Sequence, residues 1–207
     1  MNSTILLGWL NFISLNISML LFAYFSIASV MPVTRAEKRG DKAWKECYWF
    51  RIIMSVFVGI MIINMILWIW FPISELAWYV HPNPLIGIGI GAVIVIPCTI
   101  ILVKALKDGG TEHMKPSKDT EMHKGIYEHI RHPGVWGEMP WYIAIGLFIN
   151  SLFLALWMTL FVILYTPVYI YFEEKDLVKR FGDSYREYQQ QTGALIPRFW
   201  QKKGKLT

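Results

Sequence analysis

The chain has 207 residues, enough for one or at most two domains. It is 55% hydrophobic and only 17% charged, whereas soluble domains are nearer ~25% charged. This balance excludes a disordered chain, argues against an ordinary soluble domain and predicts an integral membrane protein. The two cysteines exclude a disulfide scaffold and a cysteine-based metal site of the usual spacing, and we predict no metal site.

The net charge of +5 would suggest a nucleic-acid partner in a soluble protein, but its distribution argues otherwise. All twenty Lys and Arg residues fall within residues 35–51, 104–131 and 175–205. Membrane loops rich in Lys and Arg stay on the cytoplasmic side, where they also attract anionic lipids. We therefore expect membrane lipids as partners, and no nucleic acid.

The apolar segments predict the membrane topology. Residues 3–30, 52–71 and 85–103 are each long enough to cross ~30 Å of hydrocarbon. The last apolar region, 139–172, would make a single helix of ~51 Å, so we predict two shorter helices that turn near Asn150. The prediction is an all-α integral membrane protein with five transmembrane helices, its N-terminus outside and its C-terminus in the cytoplasm.

This topology divides the chain into two regions that form one structural unit. Residues 1–106 hold the first three transmembrane helices, and residues 107–207 hold a cytoplasmic loop, a short transmembrane hairpin and the C-terminal tail. In the tail, apolar residues recur at helical spacing, and Ser184-x-x-Glu187 predicts that the helix restarts after Gly182 as a capping box. Within the second span, Asn64 is expected to hydrogen-bond between helices.

The junction before the fourth membrane helix has the character of a pocket wall. Arg131 and His132 stand directly before Pro133, which prevents a helix from running through unbroken. Gly134 and Gly137 leave room for close backbone approach. The alternative is that Arg131 and His132 are interfacial anchors at the start of a helix.

At the other end of the hairpin, Glu173 and Glu174 follow an apolar segment. A carboxylate at a membrane edge is costly unless it is paired or solvated. The hairpin returns this pair to the membrane face that carries Arg131 and His132, so the four side chains are expected to be close. The alternative is a solvated pair beside Lys179 or Arg180.

Both segments resemble a known family. Gly125-x-Tyr127 followed by Arg131-His132-Pro133-x-x-x-Gly137 is similar to the G-x-Y-x-x-x-R-H-P-x-Y-x-G signature of the isoprenylcysteine carboxyl methyltransferase family. About forty residues later, E-E-x-x-L-x-x-x-F-G-x-x-Y-x-x-Y from Glu173 to Tyr188 resembles the tail of that family. The resemblance covers roughly the last eighty residues, and two ordered motifs are more specific than either alone.

The resemblance implies an integral membrane enzyme that takes methyl from S-adenosyl-L-methionine in a cytoplasmic pocket closed by the C-terminal segment. By motif position, the resemblance implies the following cofactor contacts: Tyr127, His132, Pro133, Gly134, Val135 and Glu173, and less directly Thr120, Glu121 and Met122. Arg131 and Glu174 are the predicted catalytic residues. Glu138, Glu174 or His132 would supply a base if the acceptor needs one.

Two positions depart from the family pattern. The usual Tyr after R-H-P-x is Val135, with Trp136 beside it, so an aromatic contact is lost or shifted by one residue. Tyr169 stands where prenylcysteine-specific members carry the Arg thought to hold the substrate carboxylate. Tyr169 thus argues against specificity for prenylcysteine itself. The expected acceptor is a carboxylate of a prenylcysteine-like or other lipophilic molecule that enters from the bilayer.

Two other functions stay open at this point. A membrane reductase of the sterol-reductase type would bind NADPH through extra Lys or Arg near the adenosine. A non-catalytic membrane scaffold would tolerate loss of His132 or Glu173 without losing a ligand. A transporter is disfavoured, because the core of each span lacks ionisable residues.

Overall fold

The protein is an all-helical bundle, as the sequence predicts. The structure, a computed structural model, describes residues 3–110, 115–116 and 124–198. Within them lie seven α-helices and two short 3-10 helices, Ser74–Leu76 and Gly125–Glu128. The α-helices are α1 (Ser3–Ser29), α2 (Pro32–Arg39), α3 (Lys42–Leu67), α4 (Pro84–Gly109), α5 (Pro133–Phe148), α6 (Leu152–Phe181) and α7 (Asp183–Gln191).

Four of the described helices, α1, α3, α4 and α6, are long and apolar enough to cross a membrane, which supports a multi-pass membrane protein. The remaining apolar helix, α5, has 16 residues. Its length of about 24 Å falls short of the ~30 Å hydrocarbon thickness. A fifth crossing by α5 and an outer N-terminus therefore stay predictions.

The predicted turn separates α5 from α6, but α6 is much longer than expected. Asn150 adopts a left-handed conformation with φ 57° between the two helices. From there α6 runs for 30 residues, about 45 Å, continuing through Pro167 and ending only at Gly182, where φ is 62°. Glu173 and Glu174 thus lie within the last turns of α6 rather than in a segment after it. The helix restarts at Asp183, but the Ser184 hydroxyl donates to the Phe181 carbonyl and forms no capping box.

Close packing of small and polar residues joins the helices. A Cβ added at Gly137 of α5 would lie 2.7 Å from the Leu102 Cα of α4, so only glycine permits this approach. Between α1 and α3, Asn11 donates to the Asn64 carbonyl at 3.0 Å, and the Asn64 amide donates to Ser14 Oγ at 3.1 Å. The interhelical role predicted for Asn64 is confirmed.

At one end of the bundle, the loop after α3 meets the α5–α6 turn. The Asn150 amide donates to the His81 carbonyl at 2.9 Å, and the His81 backbone N–H donates to Asn150 Oδ1 at 3.2 Å. This contact fixes the far ends of α4, α5 and α6 together. The start of α5 and the end of α6 consequently meet at the opposite end, beside the basic segments.

Asp176 attaches the basic helix α2 to α6. Its Oδ1 and Oδ2 accept hydrogen bonds from the backbone N–H groups of Thr34 at 2.7 Å and Val33 at 3.1 Å. The carboxylate is only 1% exposed and lies at the N-terminus of α2, where backbone N–H groups lack helical partners and favour an anion.

We expect Asp176→Ala to lower the free energy of unfolding by about 2 kcal/mol, because the partly buried N–H groups of Val33 and Thr34 lose their acceptor. Thermal unfolding in detergent micelles measures the effect. The matched control is Asp183→Ala, whose side chain is 91% exposed. Equal melting temperatures for the two variants would contradict the capping role.

Candidate active site

A cavity lies at the bundle end where α5 begins and α6 ends. It is walled by α1, α3, α5 and α6 and by the residues that precede α5. Most of the predicted site residues line it, namely Tyr127, Arg131, His132, Pro133, Gly134, Val135 and Glu173. Glu174 is not among its lining residues, and Thr120, Glu121 and Met122 lie outside the described residues.

Glu174 is surrounded by donors from three segments. Its Oε1 lies 2.7 Å from Nε and Nη2 of Arg131 and 2.9 Å from Nε2 of His132. Its Oε2 accepts a hydrogen bond from the Gln189 amide of α7 at 2.8 Å. Both carboxylate oxygens are therefore occupied, which satisfies a charge that would otherwise be costly to bury.

His132 lies between the two glutamates. Its Nδ1 is 2.8 Å from Glu173 Oε2, on the opposite side of the ring from Glu174, and the residue is only 6% exposed. Burial by itself lowers the pKa of His132, but the two carboxylates outweigh burial and raise this pKa to about 9. His132 is thus a cation at neutral pH.

The chain after α7 covers the junction from the outside. The backbone N–H groups of Arg131 and His132 donate to the carbonyls of Gly193 at 2.9 Å and Ala194 at 3.1 Å. The Arg131 guanidinium also donates to the Thr192 carbonyl. Backbone donors before Pro133, which no helix satisfies, find their partners in this tail.

Tyr127 forms the outer wall of the cavity. Its hydroxyl donates to the Ala105 carbonyl of α4 at 3.4 Å, and its own carbonyl accepts from the Tyr188 hydroxyl of α7. Burial raises the pKa of Tyr127 to about 12, so the phenol stays neutral. The ring presents a neutral aromatic surface to any ligand beside it.

The two departures from the family motif have clear structural outcomes. Val135 lines the cavity, whereas Trp136 points away from it and donates to the Leu195 carbonyl at 2.7 Å. The aromatic contact is therefore not shifted onto Trp136. Tyr169 lines the cavity too, and its hydroxyl donates to Glu173 Oε1 at 3.3 Å.

The inner part of the cavity was not found from the sequence. Its wall contains side chains from α1, α3, α5 and α6, namely Phe22, Ser26, Met54, Met139 and Tyr165. On α6, the spacing of Tyr165, Tyr169 and Glu173 at i, i+4 and i+8 indicates one common helix face. For α1, no motif in the sequence signalled a role in the site.

The cavity therefore changes character along its length. An anion, Glu173, and a cation, His132, lie at its mouth, and aromatic side chains follow on the same face of α6. From Glu173 to Tyr165 this face extends about 12 Å. Such a site can bind a zwitterionic head group at one end and hold an apolar reacting group, away from water, at the other.

Comparisons with known proteins agree with the motif resemblance. Residues 85–184, which include the R-H-P junction and the glutamate pair, match the family model described as phospholipid methyltransferase. A methanethiol S-methyltransferase of Pseudomonas deceptionensis is 26% identical over 203 residues, covering 89% of this chain and 73% of the relative. Methanethiol S-methyltransferase 1 of Bradyrhizobium diazoefficiens is 29% identical over 206 residues, covering 87% of this chain and 66% of the relative. The predicted family resemblance is confirmed.

We expect the stabilising contribution of His132 to disappear at alkaline pH. Because the folded-state pKa of about 9 exceeds the unfolded value of ~6.5, the contribution is complete below about pH 6.5 and is lost as pH rises through 9. The melting temperature of the wild type should therefore exceed that of His132→Gln most at pH 6 and least at pH 9.5.

The control for this pH series is His81→Gln, which removes an exposed histidine at the other end of the bundle. Its difference from the wild type should not vary across the same range. A gap between wild type and His132→Gln that stays constant or widens toward pH 9.5 would contradict the ion-paired cation.

Proposed function

We propose that this chain, whose residues 85–184 match the family model described as phospholipid methyltransferase, transfers methyl from S-adenosylmethionine to a small thiol. The observation that carries the proposal is the cavity itself, with paired charges of opposite sign at its mouth and aromatic walls at depth. The two relatives, both named for methyl transfer to the sulfur of methanethiol, support a thiol acceptor.

The residues present fit the cofactor. Glu173 would bind the ammonium of its amino-acid group, and backbone N–H groups in the first turn of α5, beside the cationic His132, would bind the carboxylate. Tyr127 and Tyr169, which flank the two charges, would supply neutral aromatic surfaces beside the adenine and the sulfonium. When bound, S-adenosylmethionine supplies an electrophilic methyl group, whose bond to the sulfonium breaks as the acceptor sulfur forms its new carbon–sulfur bond.

The protein has two tasks in this reaction. Apolar walls keep water out, which favours a step in which a thiolate and a sulfonium lose their charges together. A neutral thiol must also lose its proton, and Glu138 is the carboxylate on α5 that lines the cavity beside Met139. We assign to Glu138 the role of accepting that proton.

Arg131 and Glu174 have a different role in this proposal. Because the Glu174 oxygens are occupied by Arg131, His132 and Gln189, Glu174 acts as a positioning residue that orients His132. Arg131 holds the C-terminal tail over the junction. The cavity mouth lies at the bundle end rich in Lys and Arg, which supports a cytoplasmic cofactor site.

A second acceptor class has one observation in its favour. Arg51 of α3 lines the cavity, although it has an interaction of its own within the chain. A guanidinium there would suit the carboxylate of a prenylcysteine-like or other lipophilic acceptor that enters from the bilayer. Tyr169, at the position of the family's substrate Arg, weighs against this alternative. The reductase and scaffold alternatives gain no support from the family model or from the relatives.

The cofactor assignment is tested by calorimetry on detergent-purified protein. S-adenosylhomocysteine should bind, NADPH should not, and Glu173→Gln should weaken S-adenosylhomocysteine binding about tenfold or more, because the ammonium loses its ion pair. Glu187→Gln, an exposed glutamate of α7, is the matched control and should bind as the wild type does. Binding of NADPH alone would contradict the proposal.

The proton-transfer role predicts a pH-dependent defect. Glu138→Gln should lower kcat for methanethiol by about 10²-fold at neutral pH, the lower end of general-base effects. The deficit should shrink at higher pH, where the thiol ionises in solution. Initial rates with labelled S-adenosylmethionine at pH 7 and pH 9.5 measure this deficit in kcat. A deficit equal at both values, or none at all, would contradict this role.

A further inference from the structure

We propose that the inner end of the cavity is the acceptor subsite and that Phe22 limits the acceptor to short alkyl thiols. This inference rests on the proposed methyltransferase function and adds to it the place and size of the acceptor. We define the inner end by five residues that line it: Phe22, Ser26, Met54, Met139 and Tyr165.

The inner end is the apolar terminus of the cavity and is closed by buried side chains. Phe22, Met139 and Tyr165 are only 3%, 5% and 6% exposed. On α6, Tyr165 lies two helical turns beyond Glu173, so a ligand whose charges are held at the mouth directs its remaining atoms toward it. An acceptor must reach the methyl group from the side opposite the leaving sulfur, and the inner end is the space that remains on that side.

The closing wall is tied together across helices. The hydroxyls of Ser26 on α1 and Tyr165 on α6 share a hydrogen bond at 2.6 Å. The Phe22 ring packs on Tyr165 with centroids 5.3 Å apart and on Tyr142 of α5 at 6.1 Å. These contacts leave Phe22 little freedom to swing aside, because moving it would break packing with both α5 and α6.

The wall therefore sets an upper limit on the acceptor. An alkyl chain that extends from the reacting sulfur would meet Phe22 after a few carbons, since the aromatic contacts behind the ring block a path between α1 and α6. A prenyl tail would need such a path. The acceptor that fits the inner end is a thiol or thiolate whose sulfur carries one or two carbons.

Phe161 offers a matched control for Phe22. Its ring packs on both Phe22, at 6.1 Å, and Tyr165, at 5.4 Å, yet it does not line the cavity. Phe22→Ala and Phe161→Ala remove the same atoms from the same aromatic cluster. Only the first removes them from the cavity wall.

The experiment measures kcat/KM with labelled S-adenosylmethionine for methane-, ethane-, butane- and hexanethiol. The wild type should prefer methanethiol, and its rate should fall steeply from ethanethiol to butanethiol. Phe22→Ala should raise kcat/KM for butanethiol at least tenfold, consistent with 10–200-fold discrimination per methylene in apolar pockets. Phe161→Ala should keep the wild-type order, and Phe22→Leu provides a milder enlargement that preserves folding.

The following results would overturn either the acceptor subsite or the thiol function. An unchanged chain-length profile in Phe22→Ala and Phe22→Leu, with S-adenosylhomocysteine binding intact, would overturn the subsite while leaving the methyltransferase proposal in place. Equal wild-type rates for hexanethiol and methanethiol, or transfer to a prenylcysteine carboxylate, would also overturn the subsite and leave the methyltransferase proposal in place. A wild type that binds S-adenosylhomocysteine but methylates no thiol would overturn the thiol function itself.

Discussion

The site depends on the pairing of two α6 carboxylates with the Arg131-His132 junction. The side chains of Glu173 and Glu174 are only 19% and 17% exposed, so an unpaired carboxylate would be costly there. Arg131 and His132 offset that cost through contacts of 2.7–2.9 Å, and the same contacts join α6 to the start of α5. Loss of one partner would leave the others buried without compensation, so the four side chains act as a unit.

Because α6 is long, the carboxylates near its C-terminal end reach other segments of the chain. The helix begins after the Asn150 turn and continues past its apolar stretch, where it carries Glu173, Glu174 and Asp176. These three carboxylates bind two segments: Glu173 and Glu174 bind the junction, and Asp176 binds the N-terminus of α2. One helix thus sets the position of the cavity mouth and, through Tyr169 and Tyr165, of its apolar interior.

The sequence predicted the parts of the site that carry charge. Arg131, His132 and the glutamate pair could be placed together because topology returns both hairpin ends to one face and because unpaired charges there are costly. The length of α6 was underestimated, since the end of the apolar run was taken as the end of the helix. The helix continues through a polar stretch and ends only at Gly182.

Other parts could not be predicted for identifiable reasons. Phe22 and Ser26 belong to a uniformly apolar helix, in which lipid-facing and cavity-facing residues have the same composition. The capping role of Asp176 has no local signature, because this carboxylate accepts from Val33 and Thr34, more than 140 residues away in sequence. The tail contacts of Arg131 are to backbone carbonyls, which leave no signature in side-chain identity.

The most direct test of the account is an experimental structure with S-adenosylhomocysteine bound. The account predicts that its ammonium contacts Glu173, that its carboxylate lies at the first turn of α5 beside His132 and that its sulfur faces the inner end of the cavity beside Tyr165. A structure in which the ligand binds elsewhere, or in which its sulfur faces away from Ser26 and Tyr165, would contradict both the role of the carboxylate pair and the place assigned to the acceptor.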